Sequence, residues 1–214
     1  MSYRVIQVEV GLLANFSTLI ICEQTGQIAI IDPAFEVDRI LKAVAASHSQ
    51  AKPAAILITH GHPDHIDGVA ELSEKTAIPI WIHEKEAVHL PPNLSNLRLL
   101  KGEEHIAVGA LQIQALATPG HTAGGVSYLL DGAVATGDVL FVGSCGRADF
   151  PDSNIEALFN SLASLAELPE ETRIYPGHDY GPTPTSTIGW EKQTNPCYRC
   201  HSPAELQRYL NLRR

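Results

Sequence analysis

The chain of 214 residues carries 15 Lys and Arg against 24 Asp and Glu, a formal net charge of −9 with histidine neutral. That length suits one domain with a sizeable core. The acidic balance excludes nucleic acid as the main partner, because phosphate neutralisation needs a basic face.

The amino-terminal residues 1–10 alternate polar and apolar, as a strand does, and lack the basic head and apolar stretch of a signal peptide. No apolar run approaches membrane-spanning length, so the expected protein is cytoplasmic, with no membrane partner. Residues 3–9, 18–22 and 27–31 read as strands, with a turn at Gln24-Thr25-Gly26 and a stop at Asp32-Pro33. Val37, Ile40, Leu41 and Val44 recur at helical spacing, which predicts an amphipathic helix over 37–46 that Lys52-Pro53 closes. A buried strand follows over 54–58.

That strand runs into Thr59-His60-Gly61-His62-Pro63-Asp64-His65, which crowds three imidazoles and a carboxylate into one strand-to-loop transition. Imidazole nitrogens with a carboxylate oxygen are the donor set of zinc, iron or manganese, whereas magnesium and calcium sites are built mostly from oxygen. If the backbone stays extended past Ile58, His60 and His62 project to the same side and can grip one ion. Asp64 and His65, beyond Pro63, suit a neighbouring position, which suggests two metals side by side.

A helix over 67–75, a short strand over 78–82 and a short helix near 84–90 complete the first half. The second half opens strand-rich, over 105–108, 111–117, 126–130 and 133–136, then predicts a helix over 154–166 and a strand over 173–175. Two sheets with helices outside account for this order. Residues 182–187 read as a local loop. Three more potential ligands sit at strand ends, each just after a glycine: His121 after Pro119-Gly120, Asp138 after Thr136-Gly137, and His178 after Pro176-Gly177. A small neighbour lets the backbone turn sharply and the ligand project into a crowded site.

Without export, the four cysteines read as thiols rather than disulfides. Cys197-Tyr198-Arg199-Cys200-His201 spells the haem c attachment pattern, but that chemistry needs an exported chain. A redox or metal-binding pair ranks below two plain thiols.

With these residues the chain resembles the metallo-β-lactamase superfamily over residues 3–196. The resemblance implies an α/β fold, a four-layer αββα sandwich, with residues 1–196 as the catalytic domain and 197–214 as a C-terminal tail or helix. It implies that His60, His62 and His121 hold a first metal, that Asp64, His65 and His178 hold a second, and that Asp138 bridges them. Two divalent cations are implied, zinc first, with iron or manganese as alternatives, since availability decides among them. Water held between two such cations loses a proton near neutral pH and attacks, with Asp64 orienting it.

True β-lactamases of this fold generally lack the bridging aspartate, so Asp138 argues against antibiotic hydrolysis; nuclease branches usually carry extensions that this chain does not show. Gly143-Ser144-Cys145-Gly146-Arg147 and Gly177-His178-Asp179-Tyr180 are similar to segments of the glyoxalase II group, which implies a glutathione-type thioester as substrate. Arg147 is then a partner for a substrate carboxylate, and Tyr180 offers a ring and hydroxyl near the metals. The longer glyoxalase II type carries a C-terminal helical domain not seen here, so the short bacterial type fits better.

Gly146-Arg147-Ala148-Asp149-Phe150, with His178-Asp179-Tyr180, also resembles the persulfide dioxygenases. In that group a single iron(II) is held by the residues matching His60, His121 and Asp138. Asn15 and Cys22-Glu23-Gln24-Thr25 look more like the short hydrolases, whereas Asp32-Pro33-Ala34 departs from the usual Asp-Pro-Gly. The sequence therefore favours a thioester hydrolase over a dioxygenase of glutathione persulfide. A metal-retaining binding module ranks third, and a homo-oligomer remains open.

Overall fold

A computed structural model describes residues 2–212. Its core follows from strand alternation. Along β1 (Tyr3–Val10), β2 (Asn15–Cys22), β3 (Gln27–Ile31), α1 (Val37–Ser47) and β4 (Lys52–Leu57), successive strand side chains point to opposite faces of one sheet. Leu19, Ile21, Ile28, Ile30 and Ile56 pack beneath α1 residues such as Ile40 and Val44. Ile20, Ala29, Ile31 and Leu57 turn the other way, into a second apolar layer. A strand buried on both faces needs apolar residues at every position, which is why these runs read as continuous in the sequence. Each fully buried Ile or Leu contributes roughly 1.5–3 kcal/mol.

The first sheet continues through α2 (Pro63–Ile66) and α3 (Val69–Thr76) to β5 (Ile80–His83) and β6 (Leu97–Leu100), in the order β1-β2-β3-β4-β5-β6. β3 to β6 run parallel, and α1 and α3 lie on the crossovers. The second sheet is built from β7 (His105–Val108), β8 (Leu111–Ala117), β9 (Val126–Leu130) and β10 (Ala133–Gly137). The hairpin β11 (Leu140–Phe141) and β12 (Ser144–Cys145) and helix α4 (Ile155–Ala166) precede β13 (Arg173–Pro176) and β14 (Ser186–Thr187). Its order is β14-β13-β10-β9-β8-β7, with only β10 and β13 parallel.

Ile106, Ile113, Ala115 and Tyr128 of this sheet share the middle layer with Ile20, Ile31 and Leu57 of the first. Val134 and Ile174 face outward instead, against Leu158, Leu162 and Leu165 of α4. Helices α5 (Ile188–Thr194) and α6 (Pro203–Asn211) add Ile188 and Leu206 to that outer layer. Three apolar layers between four tiers of structure make the expected αββα sandwich. No helix among the described residues is long and apolar enough to cross a membrane.

Four local expectations need correction. The helix expected over 67–75 begins only at Val69, after a separate short helix over Pro63–Ile66, because Gly68 sits where a Cβ would meet the Pro33 carbonyl at 2.6 Å and its amide donates to that carbonyl at 3.0 Å. The helix near 84–90 shrinks to a 3-10 turn over Ala87–His89. The edge strand β6 lies in a stretch not read as strand at all, where half its residues are exposed and alternation is weak. The loop over 182–187 ends in the two-residue edge strand β14.

The cysteines form no disulfide among the described residues. Cys197 is buried in the outer apolar layer, and Cys200 packs against it. Apolar packing accounts for the pair, and nothing in it calls for a haem.

Leu206 of α6 is fully buried against the second sheet's helices. Leu206→Ala should cost about 2–5 kcal/mol and shift a single urea transition. A separate early transition would mark residues 197–212 as an independent appendage.

Candidate metal centre

Four chain segments reach the same edge of the sandwich at the carboxyl ends of their strands. His60 and His62 follow β4, His121 follows β8, Asp138 follows β10 and His178 follows β13. The sheets are stitched together here: Phe16 N–H donates to Gly177 O at 2.8 Å, Val126 N–H to Thr59 O at 2.8 Å, and the Tyr128 hydroxyl to Ile58 O at 2.8 Å. Room is scarce. Gly177 lies where a Cβ would meet Asp138 Oδ1 at 2.5 Å, and Gly137 takes a φ of +50° against Thr59.

Each outer hydrogen bond assigns an imidazole tautomer. His121 Nδ1–H donates to the Arg147 carbonyl and His178 Nδ1–H to the Leu13 carbonyl, both at 2.9 Å. His65 Nδ1–H donates to Asp32 Oδ2 at 2.9 Å. The Thr59 hydroxyl donates to Asp32 Oδ2 at 2.6 Å, so at 3.0 Å it accepts from His60 Nδ1–H. All four rings therefore turn their bare Nε2 inward.

Those bare nitrogens converge on two points. His62 Nδ1 lies 2.9 Å from His60 Nε2 and 3.0 Å from His121 Nε2. Beside them, His65 Nε2 and His178 Nε2 are 3.2 Å apart, with Asp64 Oδ2 at 3.7 and 3.5 Å. Asp138 spans both clusters: Oδ2 is 3.5 Å from His121 Nε2 and 3.3 Å from His178 Nε2, and Oδ1 is 3.3 Å from His65 Nε2. Oδ1 is buried and makes no hydrogen bond. Lone pairs and a carboxylate gathered this closely repel one another unless a cation sits among them. Nitrogens bound tetrahedrally at about 2.0–2.1 Å stand roughly 3.3 Å apart, close to the observed spacings. The donor set is that of divalent metal, and the residues fit it.

The titration behaviour of the protein alone points the same way. Burial, and then the neighbouring His65, push His60 well below the ordinary imidazole range; burial and His121 lower His62. Burial opposes charge on His65, but Asp138 and Asp32 outweigh it and hold its pKa well above the usual value. Asp138 is likewise held far below the carboxylate range, with His65 and His178 overcoming its burial. A carboxylate this deep draws positive charge toward it, a proton where no cation is bound.

The seven residues expected as ligands lie together here: His60, His62 and His121 form one close group, Asp64, His65 and His178 another, and Asp138 lies between them, while Asp32 makes a third close group with His60 and His65. The expected substrate residues lie higher, on the wall of an open cleft of about 970 Å³ above the clusters. Arg147 is 62% exposed, and its Nε and Nη2 donate to Asp149 at 2.9 and 2.8 Å while the guanidinium lies 4.8 Å over the Phe150 ring. Tyr180 is stacked on His178 with centroids 4.5 Å apart and planes within 9°, and is 56% exposed.

Sequence reasoning did not single out Asp32, Thr59 or Phe150 for these roles. Asp32 also accepts from Thr59 N–H at 2.8 Å, and its φ of +46° is one that Asp tolerates. A buried carboxylate at the end of a strand, like Asp138, was the available signal. Asn15, noted only for its likeness to the hydrolases, donates from Nδ2 to Asp64 Oδ2 at 3.0 Å.

The metallo-β-lactamase superfamily profile matches residues 10–178. The chain belongs to that superfamily. It is 32% identical over 214 residues to a hydroxyacylglutathione hydrolase from Methylobacillus flagellatus, covering 84% of this chain and 82% of the relative. It is 35% identical over 188 residues to the probable metallo-hydrolase YqgX of Bacillus subtilis, covering 79% and 86%. Among solved structures, ETHE1 from Myxococcus xanthus superposes with a TM-score of 0.85 at 36% identity, covering 99% of this chain and 90% of that one. The superfamily's hydrolases and its fold thus agree with the divalent-metal centre found in the geometry.

Asp32→Asn keeps shape and backbone tolerance but removes the charge that orients His65. Metal affinity, measured by chelator competition, should fall about 10–100-fold; an unchanged affinity would remove Asp32 from the support of the site.

Proposed function

We propose that the protein is a metal-dependent thioester hydrolase of the glyoxalase II type, acting on a glutathione-like acyl-thiol. The observation that carries this reading is the pair of donor clusters joined by Asp138 at the floor of the cleft. The relatives named hydroxyacylglutathione hydrolase support it, and those named zinc-dependent hydrolases support a zinc preference. His60, His62 and His121 would hold one cation, and Asp64, His65 and His178 the other. Bound there, divalent cations supply Lewis acidity and lower the pKa of water.

The chain's own groups do the rest. Asp64 faces the cleft with Oδ2 steadied by Asn15, so it can orient the attacking water and accept its proton. Asp138 places its two carboxylate oxygens between the clusters, within 3.3–3.5 Å of His65, His121 and His178, where it would be shared by both cations. Phe141, Phe150 and the Tyr180 ring offer an apolar wall to the acyl-thiol. Arg147 can exchange Asp149 for a substrate carboxylate, a bidentate pairing at an exposed site. Water adds to the thioester carbonyl, the C–S bond breaks, and the thiol leaves with a proton.

A second reading, a mononuclear iron enzyme oxidising glutathione persulfide, is favoured by the likeness to ETHE1 over nearly the whole chain. Oxygen uptake by iron(II)-loaded protein on adding glutathione persulfide separates the two. No uptake, with hydrolysis of S-lactoylglutathione by the metal-loaded enzyme, upholds the hydrolase; rapid uptake without hydrolysis replaces it. His62→Ala should abolish thioesterase turnover, and full turnover in that variant would overturn the assignment. Arg147→Ala should raise KM with kcat little changed, and an unchanged KM would take Arg147 out of the substrate site.

A further inference from the structure

One buried carboxylate near the centre belongs to neither cluster. Glu86, in the connection between β5 and β6, is 1% exposed, and among the described residues no Lys or Arg pairs with it. Its Oε2 accepts from Gly61 N–H at 2.8 Å and its Oε1 accepts from Gly124 N–H at 2.7 Å. Gly61 is the residue between His60 and His62. Gly124 closes the turn that begins at His121. One carboxylate therefore joins the two backbone segments, from different sheets, that supply the first three-imidazole cluster.

The placement is costly and therefore specific. A buried carboxylate is tolerated only when its lone pairs are met, and here two backbone amides meet them. The backbone of Glu86 is pinned as well: its N–H donates to His83 O at 2.9 Å and its carbonyl accepts from His89 N–H at 3.0 Å. On the far side of the loop, Val126 N–H closes on Thr59 O at 2.8 Å. The His60–His62 segment is thus tied to the second sheet twice, by a backbone bond at Thr59 just before it and through Glu86 at Gly61 in its middle.

We infer that Glu86 is a positioning residue of the metal centre: its carboxylate clamps the His60–His62 loop to the His121 turn and fixes the spacing of the first cluster. The inference rests on the metal-centre reading above. The clamp acts through backbone rather than through the ligands' own ring nitrogens, so it sets where the rings stand and leaves their tautomers to Thr59 and Arg147.

Glu86→Gln tests this, because the amide keeps the shape but presents an NH2 group to one of the two backbone donors. In the full-length protein, cobalt(II) affinity by chelator competition should weaken about 10–100-fold, and the cobalt absorption spectrum should change. kcat should fall more than KM rises. Unchanged cobalt affinity and spectrum in a folded Glu86→Gln protein, with only Tm lowered, would overturn the inference. If that variant does not fold, amide hydrogen exchange in the wild-type protein decides: Gly61 and Gly124 should both be strongly protected, and rapid exchange at either would show that the clamp does not exist. Wild-type protein that binds no cobalt would sink the metal reading itself, while the same exchange measurement would still judge the clamp.

Discussion

Mutual repulsion at the floor of the cleft governs this molecule. Bare imidazole nitrogens and the Asp138 carboxylate are brought within 2.9–3.5 Å of one another, most of them buried at the floor of the cleft. Such a cluster is destabilising until a cation enters, so the rest of the structure must hold it open for one. Four strand ends deliver the ligands, three apolar layers fix the strands, and hydrogen bonds to Asp32, Thr59, Leu13 and Arg147 lock the rings of His65, His60, His178 and His121. Rigidity here is a condition of binding, because flexible ligands would relax apart and lose the preorganised pocket.

The two sheets play unequal parts. The first is largely parallel, buried on both faces, and supplies the densest group of ligands directly after β4. The second is mainly antiparallel and contributes single ligands after β8, β10 and β13. Neither could make a site alone. The centre exists at the seam, where Asn15 at the start of β2 bridges to His178 and Tyr128 reaches across to Ile58. Chemistry at a seam between layers combines scaffold stiffness with an open side for substrate.

The cleft above the donor clusters explains why substrate identity is harder to read than metal binding. Phe141, Phe150 and Tyr180 make an apolar wall on which many small molecules could lie, and Arg147 is already paired with Asp149. Recognition by a ring face or by an exchangeable ion pair tolerates variety. Ligand spacing around a cation does not, since a displacement of half an ångström ruins it.

Much of this was legible in residue order. Short apolar runs at β2 to β4 announced strands, and Thr59 to His65 announced a metal site, because both signals are local: an apolar run bounded by turn residues and a crowd of donors need no distant partner. The glycines before His121, Asp138 and His178 hinted at crowding without saying against what. Only tertiary structure decided that these residues, up to 118 positions apart in the pair His60 and His178, point their lone pairs at common centres. It alone revealed Asp32 orienting His65, Glu86 tying Gly61 to Gly124, and Asp149 occupying Arg147. The reason is physical: a donor's chemical type belongs to its residue, whereas its tautomer, its partner and its aim belong to neighbours that folding brings from elsewhere in the chain.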